Sequence, residues 1–230
     1  MRFADGCRCP EEKVAVSKFV KKKSCDLAAR LHFPNDEKRL PWLPMLLDSY
    51  AIVDTGVSVA VRQEEKRRKV KLACRNGCDV CCHQKDIPLY PHELVGIYWF
   101  VSEKTDLTTR ELLKRLVEVH APGSPCPFLK DRSCSIHAVR PASCRWFNVF
   151  RAPCVPGEDP YYTRRHDVLD PVQEYTDRAF AALLPFYNLK DHAGGEAAAI
   201  KLIRAQIMNL QAYDWKKLIA VMQKIDTRTP

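Results

Sequence analysis

Apolar residues recur along most of this chain at intervals of three and four, the spacing that lines one face of an α-helix. Leu43, Leu46, Tyr50, Val53, Val57 and Ala60 make the longest such stripe. They predict a helix over about 44–68, with Pro41 and Pro44 punctuating its approach. Pro91 stands at a good first helical position, ahead of a stripe formed by Leu94, Ile97, Tyr98 and Val101. Thr108 and Glu111 have the spacing of a capping box, and Leu112, Leu113, Leu116, Val117 and His120 line the helix expected after them. Pro122, Gly123, Pro125 and Pro127 end that helix.

Beyond these prolines the helical pattern breaks. Phe128-Leu129 and Ser135-Ile136 flank Lys-Asp-Arg-Ser, the pattern of a small hairpin. A short helix is expected from Ala142 to Phe147, and Pro153, Pro156, Gly157 and Pro160 mark a loop. The last third reads as helical at about 171–185, 196–211 and 214–225, with Asp170-Pro171 and Asp214-Trp215 as starts. Residues 1–40 have mixed charge and little periodicity, which suits a flexible N-terminal segment. The fold class expected is mainly α. A single helical domain over 41–230 carries a small cysteine-rich metal-binding core at 72–154 and one short β-hairpin.

Seven of the eleven cysteines fall between Cys74 and Cys144, and four of them form Cys74-x3-Cys78-x2-Cys81-Cys82. Adjacent cysteines do not easily pair with each other, and four thiols in nine residues are a reactive hazard unless something occupies them. Several thiolate–metal bonds of about 2.3 Å explain the grouping. No apolar run at the start reads as a signal peptide, and no uninterrupted apolar stretch approaches the roughly 18–20 residues of a membrane span. A cytoplasmic location is therefore expected, where thiols stay reduced and clustered cysteines favour metal over disulfides.

The net charge of +9 raises nucleic acid as a partner. The positive residues are dispersed, however, and Lys66-Arg67-Arg68-Lys69 suits the C-terminal end of a helix, where the dipole is negative. Nucleic acid and membrane are therefore not expected, whereas another protein is. Arg75, Lys85, Arg140 and Arg145 stand beside the cysteines and would offset the negative charge of thiolates.

The second cysteine region reads Cys126-Pro-Phe-Leu, Cys134-Ser-Ile-His137 and Arg140-Pro141-x2-Cys144-Arg145-x-Phe147. With the first block it resembles the YkgJ-type cysteine-cluster family of zinc- or iron-chelating domains, which includes flagellin lysine N-methylases. The resemblance covers about residues 72–150. It implies that Cys74, Cys78, Cys81, Cys82, Cys126, Cys134 and Cys144 bind metal. Seven thiols exceed the four ligands of one tetrahedral zinc. Two zincs with bridging thiolates, or an iron–sulfur cluster with thiols to spare, both fit, and iron is slightly favoured.

The function expected is that of a metal-binding protein with an iron, iron–sulfur or zinc centre in a structural or redox role. The alternative implied by the resemblance is an iron–sulfur-dependent lysine N-methyltransferase-like enzyme using S-adenosylmethionine. Cys-x3-Cys-x2-Cys is also the radical S-adenosylmethionine spacing, and Gly194-Gly195-Glu196 mimics a motif of that superfamily. Val80 replaces the usual aromatic, however, and no alternation of strands and helices supports a barrel.

Around this set, His137 reads as a hydrogen-bond partner of a sulfur more than as a ligand. Arg140 and Arg145 read as structural. Cys154 is a candidate eighth ligand, and Asp79 and His83 face solvent or a substrate. Cys7, Cys9 and Cys25 belong to the N-terminal segment, where mobility is expected more than metal binding. Trp146-Phe147 and Tyr161-Tyr162 read as core aromatics. No Walker or Gly-x-Gly-x-x-Gly loop and no hydroxyl–imidazole–carboxylate set is legible.

Overall fold

A computed structural model describes residues 28–227. Cys7, Cys9 and Cys25 lie outside them. The protein is mainly helical, as the periodicity requires. α1 (Pro34–Arg39) is followed by the 26-residue α2 (Leu43–Arg68), then by α3 (Pro91–Glu103) and α4 (Leu107–Val119). The short α5 (Ala142–Trp146) and α6 (Pro160–Thr163) precede α7 (Gln173–Ala181), α8 (Gly195–Arg204) and α9 (Lys216–Asp226).

α2 is the organising element. Leu43, Leu46, Leu47 and Tyr50 at its start join Ile97, Val101, Leu113, Val117, Leu218 and Met222 in the main core, formed with α3, α4 and α9. Val53 and Ala60, further along, pack with Trp146, Phe150, Leu169 and Ala179 against α5 and α7. Gly56 lets α7 approach, because a Cβ there would lie 2.6 Å from the Tyr175 Cβ. By length and composition α2, alone among the described residues, would pass for a membrane span, yet its apolar residues line both cores. The basic run closes α2 as expected, with Lys69 in the left-handed region at φ 54°.

Several helix ends differ from expectation. α4 begins on Asp106, whose carboxylate accepts from the Thr109 N–H at 2.8 Å, instead of on a Thr108–Glu111 capping box. A short anionic side chain at the N-cap satisfies an orphan donor and meets the positive end of the dipole. Glu111 pairs with Lys114 one turn on, at 2.6 Å. His120 is the C-cap of α4, and its Nε2 contacts the Gln211 carbonyl at 2.9 Å.

The expected helix over 196–211 stops at Arg204, because Met208–Asn209 leave it to form β4. β4 pairs antiparallel with β1 (Pro88–Leu89), Pro88 opposite Asn209 and Leu89 opposite Met208. The expected hairpin is present as β2 (Leu129–Lys130) and β3 (Ser133–Cys134). Asp131 and Arg132 turn it with φ of 46° and 60°, the paired positive values of a tight two-residue turn.

Candidate metal centre

The chain leaves α2 and doubles back so that the two cysteine blocks meet. Leu72 bridges Phe150, and the Ala73 N–H donates to the Val149 carbonyl at 2.8 Å. Gly77, at φ +78°, turns the first block, and the Cys78 N–H donates to the Arg75 carbonyl. A 3-10 turn, Val80–His83, then carries Cys81 and Cys82. The Cys126 N–H donates to the Cys82 carbonyl at 2.7 Å, tying the blocks together directly. Phe128, fully buried and edge-on to Trp215 at 4.7 Å between ring centroids, anchors the hairpin that brings Cys134 in. α5 supplies Cys144.

All eight cysteines among the described residues are free and partly buried. Cys81 is their hub. Its thiol hydrogen-bonds that of Cys82 and acts electrostatically on Cys74, Cys126, Cys134 and Cys144. Cys74 and Cys78 extend the group on one side, and Cys154 approaches both of them. Four separate stretches of chain therefore deliver thiols to one region.

Burial dominates the ionisation of most of these thiols, because a low-dielectric surrounding disfavours the charged form. It pushes Cys126 up to about 12, Cys154 up to about 11, and Cys144 further still. Cys74 and Cys134 are raised for the same reason. Cys81 moves the other way, below its ordinary value, because the Cys82 thiol acts as a donor to its sulfur, and Cys82 rises in exchange. Cys81 therefore gives up its proton more easily than Cys74, Cys82, Cys126, Cys134, Cys144 or Cys154.

The surroundings fit thiolate ligation. The Phe128 and Ile136 N–H groups, each two residues beyond its cysteine, act on the sulfurs of Cys126 and Cys134 and favour their charged form. The Val149 N–H donates to the Cys74 sulfur at 3.3 Å. Such bonds favour the thiolate over the thiol. Arg140 acts on Cys74, Cys81 and Cys134, and its Nε is a buried donor without a partner among the described residues. A buried orphan donor beside sulfurs is what a set of thiolates would satisfy. As placed, no three His, Cys, Asp or Glu side chains among the described residues are close enough to hold an ion.

Residues 73–168 match the CxxCxxCC family model, described as "Putative zinc- or iron-chelating domain". That agrees with the resemblance carried by the two cysteine blocks, and it spans under half of the chain. No curated protein and no solved structure matches the chain.

Around the cysteines the flanking residues divide clearly. Arg145 is structural: buried, it donates to Asp54 at 2.6 Å, to the Arg140 carbonyl at 2.9 Å and to the Ala138 carbonyl at 2.7 Å. Asp79 pairs loosely with Arg132 at 3.5 Å, and His83 is exposed. His137 is exposed on a 3-10 turn, His137–Val139, and the bonds that reach sulfur come instead from backbone N–H groups and from Arg164, 3.6 Å from the Cys154 sulfur. Tyr161 and Tyr162 are not core aromatics: they are 50% and 76% exposed, beside the loop that carries Cys154. Trp146 is buried, as expected.

Sequence reasoning passed over Glu93. It is fully buried on α3, and burial pushes its carboxyl up to about 7 although it accepts from the Ala142 N–H at 2.7 Å and the Tyr90 N–H at 2.9 Å. Its three-residue offset from Tyr90, just ahead of Pro91, was the legible capping signal.

Proposed function

We propose that this protein holds a cysteine-ligated metal centre, built by Cys74, Cys78, Cys81, Cys82, Cys126, Cys134 and Cys144, and that the metal is iron in an iron–sulfur cluster. One observation carries the reading: thiols from both blocks surround Cys81, amid N–H donors aimed at sulfur and the unpartnered Nε of Arg140. Soft thiolates suit iron and zinc alike. Hydrogen bonds to sulfur and partial burial are the means by which proteins set the potential of an iron–sulfur cluster. When bound, such a cluster would supply one-electron chemistry, while the chain's own residues orient the sulfurs and shield them from water.

Reduced thiols at this density suit a reducing compartment such as the cytoplasm. The description of the matched family speaks of chelation alone, so methyl transfer gains no support from it.

The test is metal and acid-labile sulfide analysis of protein purified without oxygen, with an absorption spectrum. Iron, sulfide and a broad band near ~400 nm, where thiolate–iron charge transfer absorbs, are expected. Cys81→Ser should strip most of the metal. Colourless protein with one or two zincs per chain would replace iron by zinc, and protein with neither metal and all eleven thiols alkylatable would refute the centre altogether.

A further inference from the structure

A cavity of about 480 Å³ opens beside the cysteine cluster, with Cys81 and Cys144 in its wall. Its size lies within the range of small-molecule sites, roughly 300–1,000 Å³. α2 contributes Val53, α5 contributes Trp146, and α7 contributes Ala179 and Phe180, so the wall is mostly carbon. Water in such a space finds few partners.

The mouth is equally unusual. Tyr161, Tyr162 and Ile207 line it and are 50%, 76% and 53% exposed. They gather three of the large exposed apolar side chains around one opening.

The charged groups of the wall are already committed. Both oxygens of Glu93 accept backbone N–H donors. Asp159 caps α6 through the Tyr161 N–H at 3.0 Å, Asp86 accepts from Asn209 at 2.9 Å, and Arg165 is paired with Asp170. An anionic ligand would enter beside carboxylates with no unpaired cation in the wall to meet it, and would lose its hydration uncompensated. Tyr90, Trp146, Phe147 and Phe180 offer ring faces and edges instead.

We propose that this cavity binds a neutral, mainly apolar, ring-bearing small molecule that enters between Tyr161, Tyr162 and Ile207 and whose inner end reaches the sulfurs of Cys81 and Cys144. The site stands on the cavity, its rim and its committed charges, so it holds whichever metal the cysteines take.

The experiment titrates the full-length protein, as purified, with the neutral fluorophore phenylnaphthylamine and with its anionic analogue anilinonaphthalene sulfonate. Saturable, one-to-one binding of the neutral probe is expected, with the sulfonate roughly tenfold weaker or more because its charge must be desolvated. Ala179→Trp fills the cavity and should abolish binding while circular dichroism and metal content stay unchanged. Ile207→Glu places a charge at the rim and should weaken the neutral probe by about tenfold.

Non-saturable binding, equal affinity for the two probes, or undiminished binding by a folded Ala179→Trp would each overturn the proposal. If Ala179→Trp does not fold, the exposed-site variant Ile207→Glu decides, and unchanged affinity there overturns it. Metal analysis on the same samples is a separate readout, so failure of the metal centre and failure of the cavity are told apart.

Discussion

Replacing Arg145 by Met should destabilise the protein by about 4 kcal/mol. The guanidinium joins α2 to the segment between Cys134 and Cys144: it bonds Asp54 on one side and the Ala138 and Arg140 carbonyls on the other. Its centre also lies 4.1 Å from the centroid of the Tyr50 ring. Methionine keeps much of the stem's packing but makes none of these bonds.

Each carbonyl left unpaired costs about 1–3 kcal/mol. The Asp54 pair adds about 1 kcal/mol at most, because Asp54 is 35% exposed and water screens it. The ring contact adds about 1–2 kcal/mol in a desolvated setting. The terms overlap, since one side chain makes them all, so the expected total sits toward the lower end of their summed range. Arg145→Lys keeps a charge for Asp54 but loses the planar fork, and should cost about 2–3 kcal/mol. Urea unfolding of metal-loaded protein, followed by circular dichroism, measures both. A loss below about 1 kcal/mol for Arg145→Met would show that the guanidinium does not hold this segment, and the structural role given to Arg145 would be wrong.

Gly56→Ala should cost about 2 kcal/mol in the same assay, because the new methyl would lie 2.6 Å from the Tyr175 Cβ and 2.8 Å from Trp146; the clash outweighs the ~1 kcal/mol gained from helix propensity. Unchanged or higher stability would show that α7 can retreat freely. His92, buried and held by burial at about 3, should stay neutral on acidification. Its unfolded pKa is near 6.5, so its contribution is complete above about pH 6.5 and shrinks as pH falls towards 3, by about 2 kcal/mol at pH 5. An imidazole resonance of His92 titrating near its ordinary value would contradict the burial. Cys154→Ser should leave most of the metal bound, in contrast to Cys81→Ser, because the Cys154 thiol meets only the Cys74–Cys78 side of the group; equal losses in metal analysis would make it a full ligand.

The long helices were legible because a buried stripe repeats over several turns. Leu43, Leu46, Tyr50 and Val53 are all buried where the spacing placed them. The β2–β3 hairpin was legible from its turn, although two residues per strand leave no alternation to read. β4 had neither signal: Met208–Asn209 lie after an amphipathic run with no Gly or Pro to mark the stop, and only pairing with Pro88–Leu89 takes them out of the helix. α1 escaped notice because six residues with four charges show no stripe, and its Asp36 is held by Arg39 and Lys104.

The two cysteine blocks announced a shared site. The central place of Cys81, the nearness of Cys154 and the cavity did not, because each depends on how α2, α5 and α7 pack, which no local spacing encodes.

The pairing of β1 with β4 also sets an order of events. Peptide groups just after the first cysteine block, at Gln84 and Ile87, find their partners more than a hundred residues later. The Ile87 N–H donates to the Asn209 side chain and Gln211 donates to the Gln84 carbonyl, separations of 122 and 127 residues. A ribosome delivers Cys74 to Cys82 long before it delivers Asn209 and Gln211. The nascent protein therefore passes through a stage in which its densest group of thiols is made but unsupported, and metal loading should finish only as the C-terminal helices dock.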